Sequence, residues 1–142
     1  MKSFLLSVLT VLALAPAVSS AQCDKIAESC SSELFPYQSD GQYYRTQIMA
    51  GEEAELKVMF YKGLFYRIIP CSGSDNKEKL HFKIIDMKGN VVFSNEKQPE
   101  VSYWDFSFGA SGEYKVIAKY PTGSGCAAFV IGYDADKWED DL

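Results

Sequence analysis

Residues 112–120 read Gly112-Glu113-Tyr114-Lys115-Val116-Ile117-Ala118-Lys119-Tyr120. Tyr114, Val116 and Ala118 recur at every second position and oppose Lys115, Ile117 and Lys119, which is the two-residue period of a strand with one buried and one wet face. The same period runs through Leu56, Val58 and Phe60 against Glu55, Lys57 and Met59, and through Leu80, Phe82 and Ile84 against Lys79, His81 and Lys83. Working outward, short apolar or alternating runs occupy 42–49, 54–60, 64–70, 79–85, 91–94, 101–108, 112–120 and 126–133. Between them, Ala50-Gly51-Glu52, Lys62-Gly63, Lys88-Gly89-Asn90, Gly109-Ala110-Ser111-Gly112 and Pro121-Thr122-Gly123-Ser124-Gly125 supply the glycine, proline and asparagine that chain reversals need.

Short strands punctuated in this way predict an all-β, antiparallel β-sandwich, jelly-roll-like, of about eight strands. The last run, Ala127-Ala128-Phe129-Val130-Ile131-Gly132, is apolar on both faces, as a central strand covered above and below should be. Its small Ala128 and Gly132 leave room for something bulky to pack on it. Ahead of the sandwich (42–133), residues 22–41 form a short helical or irregular lead carrying Cys23 and Cys30. Behind it, 134–142 is an acidic tail, read as a solvated terminus rather than a calcium loop, since it lacks the spacing and glycine of one.

The first 21 residues carry Lys2, an apolar run over 4–15, Pro16, and small Ser19 and Ala21, the layout of a secretory signal peptide cleaved after Ala21. The apolar run is shorter than the roughly 20 residues a membrane helix needs, so no transmembrane segment is expected. Lipid attachment at Cys23 is the rival reading, but Gln22 and Ser20 stand where a lipobox wants a small residue and a leucine. The expected location is therefore secreted or periplasmic. Removing 21 of the 142 residues leaves 121, one domain, with 13 basic against 19 acidic residues. That excess of negative charge repels polyanions, so nucleic acid is not an expected partner.

The four cysteines all lie beyond Ala21, and an exported chain with an even number normally pairs them. Because Cys71 ends one apolar run and Cys126 opens another, the expected pairing is Cys71 with Cys126 and Cys23 with Cys30. A zinc site is disfavoured by the ligand spacing.

The Ala50-Gly51-Glu52 turn with the strand through Phe60, then Leu80-His81-Phe82-Lys83-Ile84-Ile85-Asp86 with Gly89-Asn90, and finally Ser111-Gly112-Glu113-Tyr114-Lys115-Val116, follow a recognisable order. In it the chain resembles the bacterial pre-peptidase C-terminal type of β-sandwich domain. The resemblance implies a noncatalytic accessory module; some members bind calcium or matrix polymers, but no calcium motif matches here residue by residue. The layout is also similar to small stand-alone secreted proteins of unknown function from Gram-negative gut-type bacteria.

Catalysis finds little support. His81, the single histidine, falls on the polar face of its strand, and no nucleophile elbow, metalloprotease motif or phosphate loop is present. Asp105, between Trp104 and Phe106, is the one carboxylate placed to act as an acid, with Glu113 as a second; alternation instead puts Asp105 outside with Tyr103 and Ser107 while Trp104, Phe106 and Phe108 fill the core. Aromatic residues make up 14% of the chain. Those not assigned to the core include Tyr37 and Tyr61, and a ligand-binding patch is expected around Tyr43, Tyr44 and Tyr103. The sequence thus reads as a binding module for a glycan or an envelope protein, with no cofactor. The alternatives are an envelope-assembly protein that pairs strand edges and a small carboxylate-dependent hydrolase.

Overall fold

A computed structural model describes residues 19–73 and 78–134. The signal-peptide reading falls almost wholly outside those residues, as does the acidic tail beyond Asp134. Helix α1 spans Ser19–Cys30, a 3₁₀ turn Ser31–Leu34, and eight strands follow among the described residues: β1 Gln38–Ile48, β2 Ala54–Phe60, β3 Phe65–Ser72, β4 His81–Ile85, β5 Val91–Ser94, β6 Trp104–Ser107, β7 Gly112–Lys119 and β8 Gly125–Asp134.

Two four-stranded antiparallel sheets form, one in the order β1-β8-β3-β6 and the other β2-β7-β4-β5. First pairs with last, second with seventh, third with sixth and fourth with fifth. A long hairpin folded over on itself gives this order, and it is the jelly roll the turn spacing predicts. Leu56, Val58 and Phe60 meet Tyr114, Val116 and Ala118 and, across the interior, Ile68, Phe129 and Ile131. Burying these side chains, each contributing about 1.5 to 3 kcal/mol, drives the two sheets together.

β1 starts earlier than the alternation suggests. Gln38 and Ser39 already pair with Tyr133 and Gly132, and a bulge follows before Tyr43. Gly41 has φ +79, a conformation that glycine alone adopts at no steric cost, and it allows the extra residues to loop out without ending the strand. At the other end of the chain Asp134, assigned to the tail on sequence, is the last residue of β8, opposite Phe65. β6 is shorter than 101–108: its pairing with β3 ends at Ile68, two residues before Pro70, which has no N–H to give the ladder. Past the end of β5, Asn95 continues the pairing with its side chain, accepting from the Phe82 N–H at 2.7 Å and donating to the Leu80 carbonyl at 3.0 Å.

The 22–41 lead packs as a third layer on the outer face of the β1-β8-β3-β6 sheet. Cys23, Ala27 and Cys30 recur at helical spacing along α1, and Ala27, Leu34 and Tyr37 bury against Ile69, Cys71, Ala128 and Val130. The bulky group received by the small residues of β8 is Leu34: a methyl placed on Gly132 would stand 2.5 Å from Leu34 Cδ1 and 2.9 Å from the Gln38 carbonyl oxygen.

The disulfides differ from the expected pairing. Cys23 joins Cys126 and Cys30 joins Cys71, with Cα atoms 5.3 and 6.2 Å apart. Two pieces of geometry forbid the alternative. Seven residues of helix separate Cys23 from Cys30 by roughly 10 Å. β3 and β8 are indeed neighbours, but Cys71 lies opposite Ala128, so Cys126 is its diagonal neighbour, about 7 to 8 Å away and too far for a bridge. Both strand cysteines point outward into the covered face, and each is met by a cysteine of α1.

Candidate functional site

β3 carries one basic residue, Arg67, among Phe65, Tyr66, Ile68 and Ile69, and it is buried. Opposite residues of an antiparallel pair point to the same face, so Arg67 shares the outer face with Asp105 of β6 and Gly132 of β8. Its Nε donates to Asp105 Oδ1 at 2.8 Å and its Nη2 to Asp105 Oδ2 at 3.0 Å, a bidentate fork. Nη1 donates to the carbonyl of Glu33, within the 3₁₀ turn, at 3.0 Å and to that of Phe35, just past it, at 3.2 Å. The guanidinium carbon lies 3.9 Å from the centre of the Tyr103 ring and 4.6 Å from that of Tyr37. Each such cation–ring contact is worth about 0.5 to 2 kcal/mol. The hydrogen bonds that Arg67 donates to Asp105 raise its pKa above the ordinary value, against the opposing effect of burial.

The clamp ties three parts of the chain to one cation: the loop after α1, the centre of β3, and the segment entering β6. Around it stand Phe35, 85% exposed, exposed Pro36, and Tyr103, 38% exposed. Phe35 is tied to Arg67 through its backbone carbonyl and Tyr103 through its ring, so two exposed aromatic residues are anchored to one guanidinium.

The three tyrosines expected to form one patch are not brought together. Tyr43 and Tyr44 are consecutive in β1 and so point to opposite faces: Tyr43 is 43% exposed on the outside, while Tyr44 packs against the core. Tyr103 precedes β6, at the far edge of the same sheet, three strand spacings or roughly 14 Å from β1. Several other tyrosines serve the scaffold. The Tyr66 hydroxyl accepts the Tyr61 N–H at 2.8 Å, the Tyr114 hydroxyl donates to the Ala110 carbonyl at 2.8 Å, and that of Tyr120 donates to the Cys126 carbonyl.

The carboxylate-pair reading fails on geometry. Asp105 is engaged by Arg67 on the outer face of one sheet, whereas Glu113, opposite Met59, stands on the outer face of the other. Two acids on opposite sides of a sandwich do not flank one bond. His81 lies on the wet face of β4 opposite Lys119, as alternation predicts. No group of three metal-ligating side chains occurs among the described residues. No helix among them is long and apolar enough to cross a membrane.

The sequence matches no protein-family model and no curated protein. The fold is similar to a solved one. PliG of Aeromonas hydrophila, a periplasmic lysozyme inhibitor of g-type lysozyme, matches with a TM-score of 0.53 at 9% identity, over 70% of this chain and 89% of that one. Salmonella Typhimurium PliG, also a periplasmic inhibitor of g-type lysozyme, is 11% identical over 66% of this chain and 86% of its own, with a TM-score of 0.45. At such identities the first likeness speaks for the fold alone.

Arg67 was not among the residues singled out on sequence, nor was Phe35. A signal existed for the first: a lone arginine in an otherwise apolar strand must find a partner or cost several kcal/mol. Nothing in the sequence marks Phe35, whose exposure depends on where the loop after α1 is tied.

Proposed function

We propose that this chain is a noncatalytic binding module that works in the periplasm or outside the cell and takes a protein partner. The observation that carries the reading is the Arg67 clamp, which holds Phe35 and Tyr103 at the surface on a fixed framework. Exposed aromatic residues anchored on a fixed framework lose little entropy on binding and suit a protein interface. Both disulfides suit an oxidising compartment. The one acid placed among rings, Asp105, is spent on positioning Arg67. The similarity of fold to a lysozyme inhibitor makes a g-type lysozyme the first partner to test, ahead of a glycan or an envelope protein.

Clearing of a cell-wall suspension by g-type lysozyme is the direct assay. Added protein is expected to slow clearing, and the double variant Phe35→Ala with Tyr103→Ala to lose most of that effect while still unfolding cooperatively, its melting temperature lowered only by the several degrees that the lost Tyr103–Arg67 contact accounts for. If clearing is unaffected and the double variant captures the same envelope proteins as the parent, this surface has no binding role.

A further inference from the structure

Among the described residues the two sheets end in four edge strands, and three of them are poor templates for a further strand. β1 is bulged around Gly41, and β5 and β6 are each four residues long. The fourth, β2, pairs with β7 over all seven of its residues with no register shift, and it contains neither glycine nor proline. No strand among the described residues pairs with its other side. A straight, extended edge is thus left with a row of outward N–H and C=O groups.

The side chains of β2 indicate which strand fits there. Ala54 and Leu56 point toward the core yet are only half-buried, while Glu55, Lys57 and Met59 are exposed on the outer face. Across the ladder Lys57 lies opposite Lys115, whose ammonium is 3.5 Å from the Glu55 carboxylate. Glu55 therefore balances Lys115, and Lys57 keeps a like charge beside it with no ion pair among the described residues. Like charges directly opposite one another destabilise a sheet, and a carboxylate arriving on the open side of Lys57 offsets this.

We propose that the β2 edge pairs with the β2 edge of a second copy of this chain, antiparallel about a two-fold axis at Leu56. That register sets Glu55 against Lys57 of the second copy and Lys57 against its Glu55, while Leu56 meets Leu56 and Ala54 meets Val58 on the core side. Opposite residues of an antiparallel pair share a face, so the symmetry makes the same ion pair twice. An axis at Glu55 or at Lys57 puts like charges together, and an axis between two residues turns the core face of one copy to the water side of the other. The charges thus select the register. The Arg67 clamp lies on the outer face of the other sheet, so Phe35 and Tyr103 stay exposed and their binding role stands or fails separately.

Analytical ultracentrifugation of the protein from about 1 to about 500 μM tests this, in salt of about 0.15 M, which screens the net charges of two copies beyond roughly 8 Å. A reversible monomer–dimer equilibrium is expected, a weak one because a single strand edge buries little area. Lys57→Glu is expected to weaken the dimer at least about tenfold, since two attractive pairs become two repulsive ones, and Glu55→Lys to do the same. An equal mixture of these two variants should associate again, because an acidic edge then meets a basic one. If Glu55→Lys disturbs the fold, oxidative cross-linking takes its place: Leu56→Cys is expected to join two copies and Met59→Cys, three residues off the axis, is not. Phe35→Ala with Tyr103→Ala should dimerise like the parent. A monomer at every concentration, a dimer indifferent to Lys57→Glu, or cross-linking through Met59→Cys in place of Leu56→Cys would overturn the proposal.

Discussion

The two sheets of this sandwich have the same number of strands and opposite surroundings. β7, in the centre of one, alternates between buried and exposed positions, while β8, in the centre of the other, is buried at its first eight positions. The outer face of the β7 sheet meets water through Glu55, Lys57, Lys83, Lys115 and Lys119. The outer face of the β8 sheet is closed by α1, the 3₁₀ turn and two disulfides, and it holds the Arg67 clamp. A covered face fixes side chains that an open face leaves to solvent, so the ordered Arg67 clamp arises on the covered side.

The largest effect should come from releasing the cover. Replacing Cys23 and Cys126 together by alanine opens a loop closed over a sequence separation of 103 residues. By the chain-entropy estimate the cost is about 4 to 5 kcal/mol, read as a fall in the denaturant midpoint. Nonreducing peptide mapping should recover Cys23 with Cys126 and Cys30 with Cys71; recovery of Cys71 with Cys126 would undo the account of the covered face.

Next in size is the clamp. Arg67→Ala removes the fork to Asp105 and leaves the Glu33 and Phe35 carbonyls without their donor, for a loss of about 2 to 4 kcal/mol in chemical unfolding. Arg67→Lys should recover little, since an ammonium does not reproduce the fork. A lysine variant as stable as the parent would mean that charge alone, rather than geometry, sets the site.

Gly132→Ala is expected to cost about 1 to 3 kcal/mol, because the added methyl meets Leu34 and the Gln38 backbone, and a carbonyl in a strand does not move aside cheaply. The smallest effect belongs to the open face. Lys115 lies 3.5 Å from Glu55 with both side chains nearly half exposed, and Lys115→Ala should change stability by no more than about 0.5 kcal/mol. A larger loss there would show that the wet face is not as solvated as its burial pattern implies.

Much of the sandwich was legible. The alternation of β2, β4 and β7, and the doubly apolar run of β8, follow from a period that one covered face imposes directly on residue choice. β2 and β5 keep the limits read from sequence, Ala54–Phe60 and Val91–Ser94, because turn residues bracket them. The start of β1 was hidden, since a bulge at Gly41 breaks the period that reveals a strand. The expected tyrosine patch was a grouping by sequence neighbourhood, and a strand sends neighbours to opposite faces. Arg67 and Phe35 were missed because their significance depends on partners more than 30 residues away along the chain.

By itself, the sequence determined the class of fold, the inward face of most strands, and the presence of four cysteines available to pair. Those properties are local: each is written in the spacing of apolar residues and in the chemistry of the turns between them. Tertiary structure alone decided which cysteines meet, which rings face water, and that Asp105 is forked by an arginine from the neighbouring strand. These depend on distances between segments remote in sequence, and such distances are set only when a helix and two sheets settle on one shared arrangement.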